Sequence, residues 1–88
     1  MKRRIFGEKL RRLLWQLDQV LTPEELDDVM GFWGQAEWDL AVDLAARLIV
    51  ERMRPITPEI YQLLAELLPE TEWANFHDLD ALARLVLK

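Results

Sequence analysis

The sequence contains neither cysteine nor serine, and these two absences exclude several classes of chemistry. Without cysteine there is no disulfide framework, no thiolate metal site and no thiol nucleophile. Only four side chains offer a nucleophilic hydroxyl, namely Thr22, Thr57, Thr71 and Tyr61. The one histidine, His77, has Asp78 as a neighbour in sequence, and adjacent helical positions do not face each other. We therefore expect no catalytic residues and no enzymatic activity.

Long apolar runs are also missing. No stretch approaches the roughly 20 apolar residues that cross a bilayer. Charged residues, beginning with Glu8 and Lys9, interrupt the apolar residues near the N-terminus, so no signal peptide is expected. Together with the lack of cysteine, this pattern predicts a cytoplasmic protein that does not bind membranes.

The sequence offers little to hold a cofactor or a metal. Its three glycines are isolated and form no phosphate-binding loop. Carboxylates are spaced at i, i+4 in the pairs Asp39 with Asp43 and Glu24 with Asp28, but these acids fall on predicted outer faces without a histidine. We expect no cofactor and no metal site.

Charge is distributed unevenly along the chain, whose net charge is −5. Residues 1–12 carry six basic side chains and one acid, whereas the stretch from Leu13 to Ala46 carries eight acids and no lysine or arginine. Such a stretch repels nucleic acid and attracts basic protein surfaces. An acidic face that only promotes solubility is an equally acceptable interpretation.

Apolar spacing predicts an all-α fold, a compact bundle of about five helices in one domain that covers residues 1–88. Two helices start at matching Thr-Pro-Glu sequences, where Thr22 and Thr57 are natural N-caps and Gly34 is expected to end the earlier of the two. The predicted helices span residues 3–20, 22–34, 36–54 and 57–68, with a last one from about residue 78. Because the third helix is apolar on most sides, including Leu44 and Leu48, it is expected at the centre.

Two aromatic residues do not fit the apolar stripes of their helices. Trp15 lies nearly opposite the stripe of the first helix, and Phe32 lies beside Asp28 on the second helix. Large aromatics on polar faces are enriched at interfaces, although a helix packed on two sides would also explain them. We expect Trp15 to be more exposed than Trp38.

The middle of the chain resembles the MafI-like family of small bacterial immunity proteins. The resemblance covers residues 22–68, about half the chain. It rests on Gly-Gln-Ala-Glu-Trp-Asp-Leu-Ala-Val-Asp-Leu (34–44), which leads into the long apolar helix, and on Ile-Thr-Pro-Glu-Ile-Tyr (56–61), which opens the next one. Proteins of that family are encoded beside a toxin delivered to competing bacteria, and they bind the toxin domain to protect the producer.

The resemblance implies an immunity protein whose partner is a cognate toxin domain with a basic surface, and toxins that attack nucleic acid are one class with such a surface. The acidic stretch would supply the contact. The expected partner-binding residues are Asp27, Asp28, Phe32, Glu37, Asp39 and Asp43, with Trp15 as a further candidate. Two alternatives remain open. One is an adaptor that homodimerises through Trp15 and the first helix, and the other is a small regulator that binds nucleic acid through residues 2–12.

Overall fold

The computed structural model describes residues 2–72 and 79–87. Within these ranges the chain forms five α-helices, one short 3₁₀ helix and no strand. The elements are α1 (Arg3–Leu17), α2 (Pro23–Gly34), α3 (Trp38–Glu51), α4 (Pro58–Leu67), the 3₁₀ helix Leu68–Glu70 and α5 (Leu79–Arg84). The predicted all-α fold is confirmed, although α1 and α3 are shorter than predicted. The last helix begins at Leu79, and its expected start at Asp78 lies outside the described residues.

Threonine caps start both α2 and α4. The Thr22 hydroxyl accepts a hydrogen bond from the Glu25 N–H at 3.2 Å, and the Thr22 N–H donates to the Glu25 carboxylate at 2.9 Å. This reciprocal capping box pairs two N–H groups that would otherwise lack a partner at the start of α2. Thr57 accepts a hydrogen bond from the Ile60 N–H in the same way.

The turn between α2 and α3 is made differently from the prediction. Gly34 is the last residue of α2, as predicted, but it does not take the left-handed conformation; the reversal occurs at Ala36, whose φ is +58°. A left-handed conformation costs a residue with a Cβ about 1–2 kcal/mol, so other contacts have to hold the turn. One such contact is the Arg3 guanidinium, which donates to the Ala36 carbonyl at 3.1 Å.

Helix α3 lies at the centre of the bundle, as predicted. It packs along α2 and also contacts α1, α4 and α5, whereas α1 packs mainly along α4. Its buried surface is made of small and branched residues, which are Ala41, Val42, Ala45, Ala46 and Ile49. Leu44 and Leu48 are only half-buried, so the face of α3 that forms the core is not the one expected from its leucines.

The end of the described chain is tied to the loop between α3 and α4. The Ile56 N–H donates to the Leu85 carbonyl at 2.9 Å, and the Leu87 N–H donates to the Ile56 carbonyl at 2.7 Å. Ile56 and Leu82 are both fully buried. These contacts make α5 part of the single core, which also includes residues from the four longer helices.

Candidate functional site

Glu25, the acidic residue of the capping box, is neutralised by two arginines that follow α3. Its carboxylate accepts a hydrogen bond from Arg54 and lies 4.0 Å from the Arg52 guanidinium. Arg54 also donates to the Val20 carbonyl at 3.0 Å, which links the end of α3 to the loop before α2. The Thr22 N–H, and after it Arg54, hold the pKa of Glu25 below its ordinary value, against the opposing effect of burial. These contacts give Glu25 a role in stabilising the fold.

Asp43 was predicted to lie on an outer face, and that prediction is wrong. The residue is only 3% exposed, and its carboxylate pairs with Arg47 one turn later on α3. Asp43 lies beside Asp28 and Phe32 of α2, which packs along α3, and its carboxylate is paired with Arg47, whose side chain is about half exposed. Asp43 is consequently unavailable as a direct partner contact.

Six other acids of the acidic stretch form no ion pair with any residue that the structure describes. Five are exposed and one is half-exposed. They are Asp18, Glu24, Asp27, Asp28, Glu37 and Asp39. Because α2 and the turn after it carry most of them, negative charge without a compensating cation is concentrated on that side of the molecule.

The outer side of the α2–α3 hairpin contains a shallow depression of about 450 Å³. Phe32 and Leu44 give it an apolar floor, and Asp28 stands at its edge together with the Asp43–Arg47 pair. A second depression, of about 380 Å³, adjoins it at Leu40; it includes the acids Glu37, Asp39 and Glu72, and also the cation Arg3. We call this surface the acidic hairpin face; it comprises Asp28, Phe32, Glu37, Asp39, Leu40 and Leu44. Four of the predicted partner-binding residues thus share one surface.

Trp15 and Asp27 lie elsewhere, in a groove between α1 and α2. Trp15 is 73% exposed, whereas Trp38 is half-buried, which confirms the predicted order of the two indoles. The groove has a volume of about 500 Å³. Its lining is mostly apolar with charges at the rim, and consists of Arg11, Leu14, Trp15, Asp18, Leu26, Asp27, Met30 and Trp33. The predicted site residues therefore divide into two separate surfaces.

An aromatic stack holds the hairpin turn against α1. Trp38 stacks on Trp33 with a centroid distance of 5.3 Å and on Phe6 with one of 6.3 Å. The Arg3 guanidinium carbon lies 4.5 Å from the centroid of the Trp38 ring, within the range of a cation–π interaction. Gly7 permits this approach, because a Cβ at that position would lie 2.6 Å from the indole. This role of Gly7 left no signal in the sequence, because Trp38 is distant along the chain.

Two cations of the basic N-terminal segment contact other parts of the fold. Arg3 contacts the hairpin turn as described, and the Lys9 ammonium lies 2.7 Å from the Glu66 carboxylate on α4. Lys9, together with a hydrogen bond from Gln62, lowers the pKa of Glu66, although burial opposes this shift. The segment therefore presents fewer unengaged cations to a phosphate backbone than its composition suggested, which weakens the nucleic-acid alternative.

The described residues contain no group of three or more potential metal ligands, and none of their helices is long and apolar enough to cross a membrane. His77 lies outside the described residues. Comparison with family models, with curated proteins and with solved structures gave no match. The resemblance to the MafI-like family therefore remains a prediction that rests on the residue pattern quoted above.

Proposed function

We propose that this chain is a non-catalytic immunity protein that binds a bacterial toxin domain and blocks it. In this proposal the acidic hairpin face contacts a basic surface of the toxin. The observation that carries it is the concentration on α2 and the α2–α3 turn of exposed acids that pair with no cation of the described residues, beside a partly apolar depression. A toxin is proposed as the partner because the residue pattern from 34 to 61 resembles that of the MafI-like immunity proteins.

The chemistry of the face suits recognition of a basic surface. Asp28 and Glu37 are exposed, and Asp39 is half-exposed. Carboxylates that form no ion pair with the described residues accelerate association with a cationic partner and discriminate against acidic ones. Phe32 and Leu44, in the depression beside them, supply apolar area that binding would remove from water.

The rigidity of the face also favours a role in binding. The aromatic stack of Trp33, Trp38 and Phe6 fixes the turn, and the capping box with Arg54 fixes the start of α2. A surface that is already ordered loses little conformational entropy when a partner docks, so more of the contact energy appears as affinity. An inhibitor of this type needs no nucleophile or general base, in keeping with a sequence that has no serine or cysteine.

The proposal is tested by co-expressing the chain with the polypeptide encoded beside it and measuring the survival of the host cells. Association of the two purified proteins is then followed at several salt concentrations. The test variant is Asp28→Lys with Glu37→Lys. It should fold, since both positions are exposed, but it should associate more slowly, lose most of the salt dependence of association and fail to protect.

A matched control separates local contact from net charge. Glu51→Lys with Glu59→Lys changes the net charge by the same amount at exposed positions away from the acidic hairpin face. This control should bind and protect like the parent. Equal protection by the parent, the test variant and the control would refute the acidic hairpin face as the contact surface. Absence of any toxicity from the neighbouring polypeptide, together with no binding, would refute the immunity function itself.

A further inference from the structure

Trp15 is a large apolar side chain exposed on a well-ordered helix. It belongs to α1, which packs mainly along α4, while α2 packs along α3. The groove between α1 and α2 is therefore left without a helix to fill it, and Trp15 stands at one edge of it with 73% of its surface exposed. Met30, on the α2 edge, is also exposed, at 42%. Together they form an apolar surface that the fold does not cover.

The charges along the α1 edge of the groove are arranged symmetrically about Trp15. Arg11 lies one turn before Trp15, and Asp18 lies about one turn after it at the C-cap of α1, where the backbone is still helical. A twofold axis that passes close to Trp15 and sets two α1 helices antiparallel would bring Arg11 of each copy opposite Asp18 of the other. Twofold interfaces have this self-complementary form, in which each contact occurs twice.

The groove also provides both parts of an apolar contact. Leu14, Leu26 and Trp33 line its floor, and Trp15 projects from its edge. In an antiparallel pair, the indole of each copy would enter the groove of the other. A foreign helix would fill the groove but would leave the protruding indole and the Arg11–Asp18 pattern unexplained, so a second copy of the chain is the occupant that fits all three features.

We propose that the α1–α2 groove is the interface of a homodimer, in which two α1 helices run antiparallel about Trp15. This inference goes beyond the proposed function, because the acidic hairpin face is a different surface and stays open in the dimer. Interfaces of standard size bury about 800 Å² per partner, roughly a seventh of the 5607 Å² that this chain exposes. Interfaces of that size range from micromolar to picomolar affinity. Because each copy offers one large aromatic anchor, we expect a dissociation constant in the micromolar range.

The test begins with sedimentation velocity of the purified chain over micromolar to millimolar concentrations. The parent should shift reversibly from monomer to dimer. Trp15→Ala should raise the dissociation constant about tenfold or more, as removal of a central aromatic anchor does. The matched control is Met53→Ala, since Met53 is 76% exposed but does not line the groove; it should dimerise like the parent.

A charge exchange tests the antiparallel arrangement itself. Arg11→Asp alone and Asp18→Lys alone should each weaken the dimer, because each places like charges opposite one another twice. An equimolar mixture of the two variants should form a heterodimer, since both contacts are then between opposite charges, and the double variant should dimerise again on its own.

Two results would overturn the proposal. One is a parent chain that stays monomeric throughout the concentration range, and the other is a dimer that Trp15→Ala leaves unchanged. Failure of the charge exchange to restore association would also refute the antiparallel pairing. None of these results bears on toxin binding, which is measured separately with variants of the acidic hairpin face.

Discussion

Gly7 offers a sharp test of how closely α1 approaches the hairpin turn. A Cβ built at this position would lie 2.6 and 2.7 Å from two ring atoms of Trp38, closer than real Cβ contacts allow. That indole is stacked between Phe6 and Trp33, so it has little freedom to move aside. Gly7→Ala should therefore displace the stack, and overpacking of this kind costs typically about 1–3 kcal/mol.

Helix propensity acts in the opposite direction, because alanine is favoured over glycine in a helix by about 1 kcal/mol. Gly31→Ala isolates that contribution. Gly31 lies within α2, is exposed, and a Cβ there would meet nothing within 4 Å. Gly31→Ala should accordingly stabilise the protein by about 0.5–1 kcal/mol.

The difference between the two variants removes the propensity term and leaves the cost of the contact. Urea unfolding followed by far-ultraviolet circular dichroism should give Gly7→Ala a free energy of unfolding about 1–3 kcal/mol below that of Gly31→Ala. The near-ultraviolet spectrum of Gly7→Ala should also lose part of the indole signal. A difference below about 0.5 kcal/mol would mean that Trp38 does not lie against α1 as described.

Three further predictions concern the core, the capping box and the turn. Ile49→Ala should lower the free energy of unfolding by about 2–5 kcal/mol, and Leu44→Ala by clearly less, because Ile49 is fully buried and Leu44 is not; equal losses in urea titrations would contradict this. The pKa of Glu25 in the folded protein lies below its ordinary value of 4.5, so its stabilising contribution is present above that pH and is lost as the pH falls below it. Glu25→Gln should flatten this acid-side loss when unfolding midpoints are compared between neutral pH and about pH 3, and an unchanged slope would refute the assignment. Ala36→Gly should raise stability by up to about 1 kcal/mol, since φ at Ala36 is +58°, and thermal melting that moves downward would contradict it.

Helix starts could be predicted from the sequence because the chemistry that forms them is local. Thr22 and Thr57 cap the residues three positions ahead, and no distant contact is needed to recognise this. Helix ends were less predictable. The apolar stripe of α1 continues to Leu21 because Leu21 is buried in the core, yet the helix ends at Leu17. Leu21 is therefore buried without being helical, and the apolar periodicity indicates only which residues are buried.

The turn after α2 shows a second limit of the sequence analysis. Glycine marks the usual place for a left-handed residue, so Gly34 was the expected stop, but Ala36 takes that conformation. Part of the reason lies in α1, whose Arg3 binds the Ala36 carbonyl from 33 residues away. A contact between residues so far apart in the sequence leaves no signal in the local residue pattern.

The candidate site was predictable in part for a related reason. Helical angle placed Asp28 and Phe32 on a shared edge, and the structure brings both to the same depression with Leu40 and Leu44. Helical angle could not reveal that Asp43 would be buried, because angles describe one helix without its neighbours. Nor could it show that Asp27 lies in the groove with Trp15, away from Asp28.

The sequence between Leu13 and Ala46 has eight acids and no basic residue, but in the fold two of these acids are paired with arginines from outside the stretch. Arg47 and Arg54 both follow the stretch in sequence, and they form ion pairs with Asp43 and Glu25, respectively. The acids that they neutralise are the two that the fold needs, one covered on α3 and one in the capping box. Of those left without an ion pair to the described residues, Glu24 and Asp39 lie in the first turns of α2 and α3, where a carboxylate favours the helix. Asp27, Asp28 and Glu37 have no such role, and repulsion among like charges opposes folding slightly. A protein that keeps such a group on one surface, and an exposed indole on another, has two surfaces that its own stability does not explain. If each serves the role proposed above, one dimer would carry two toxin domains, and the stoichiometry of the complex would be two to two.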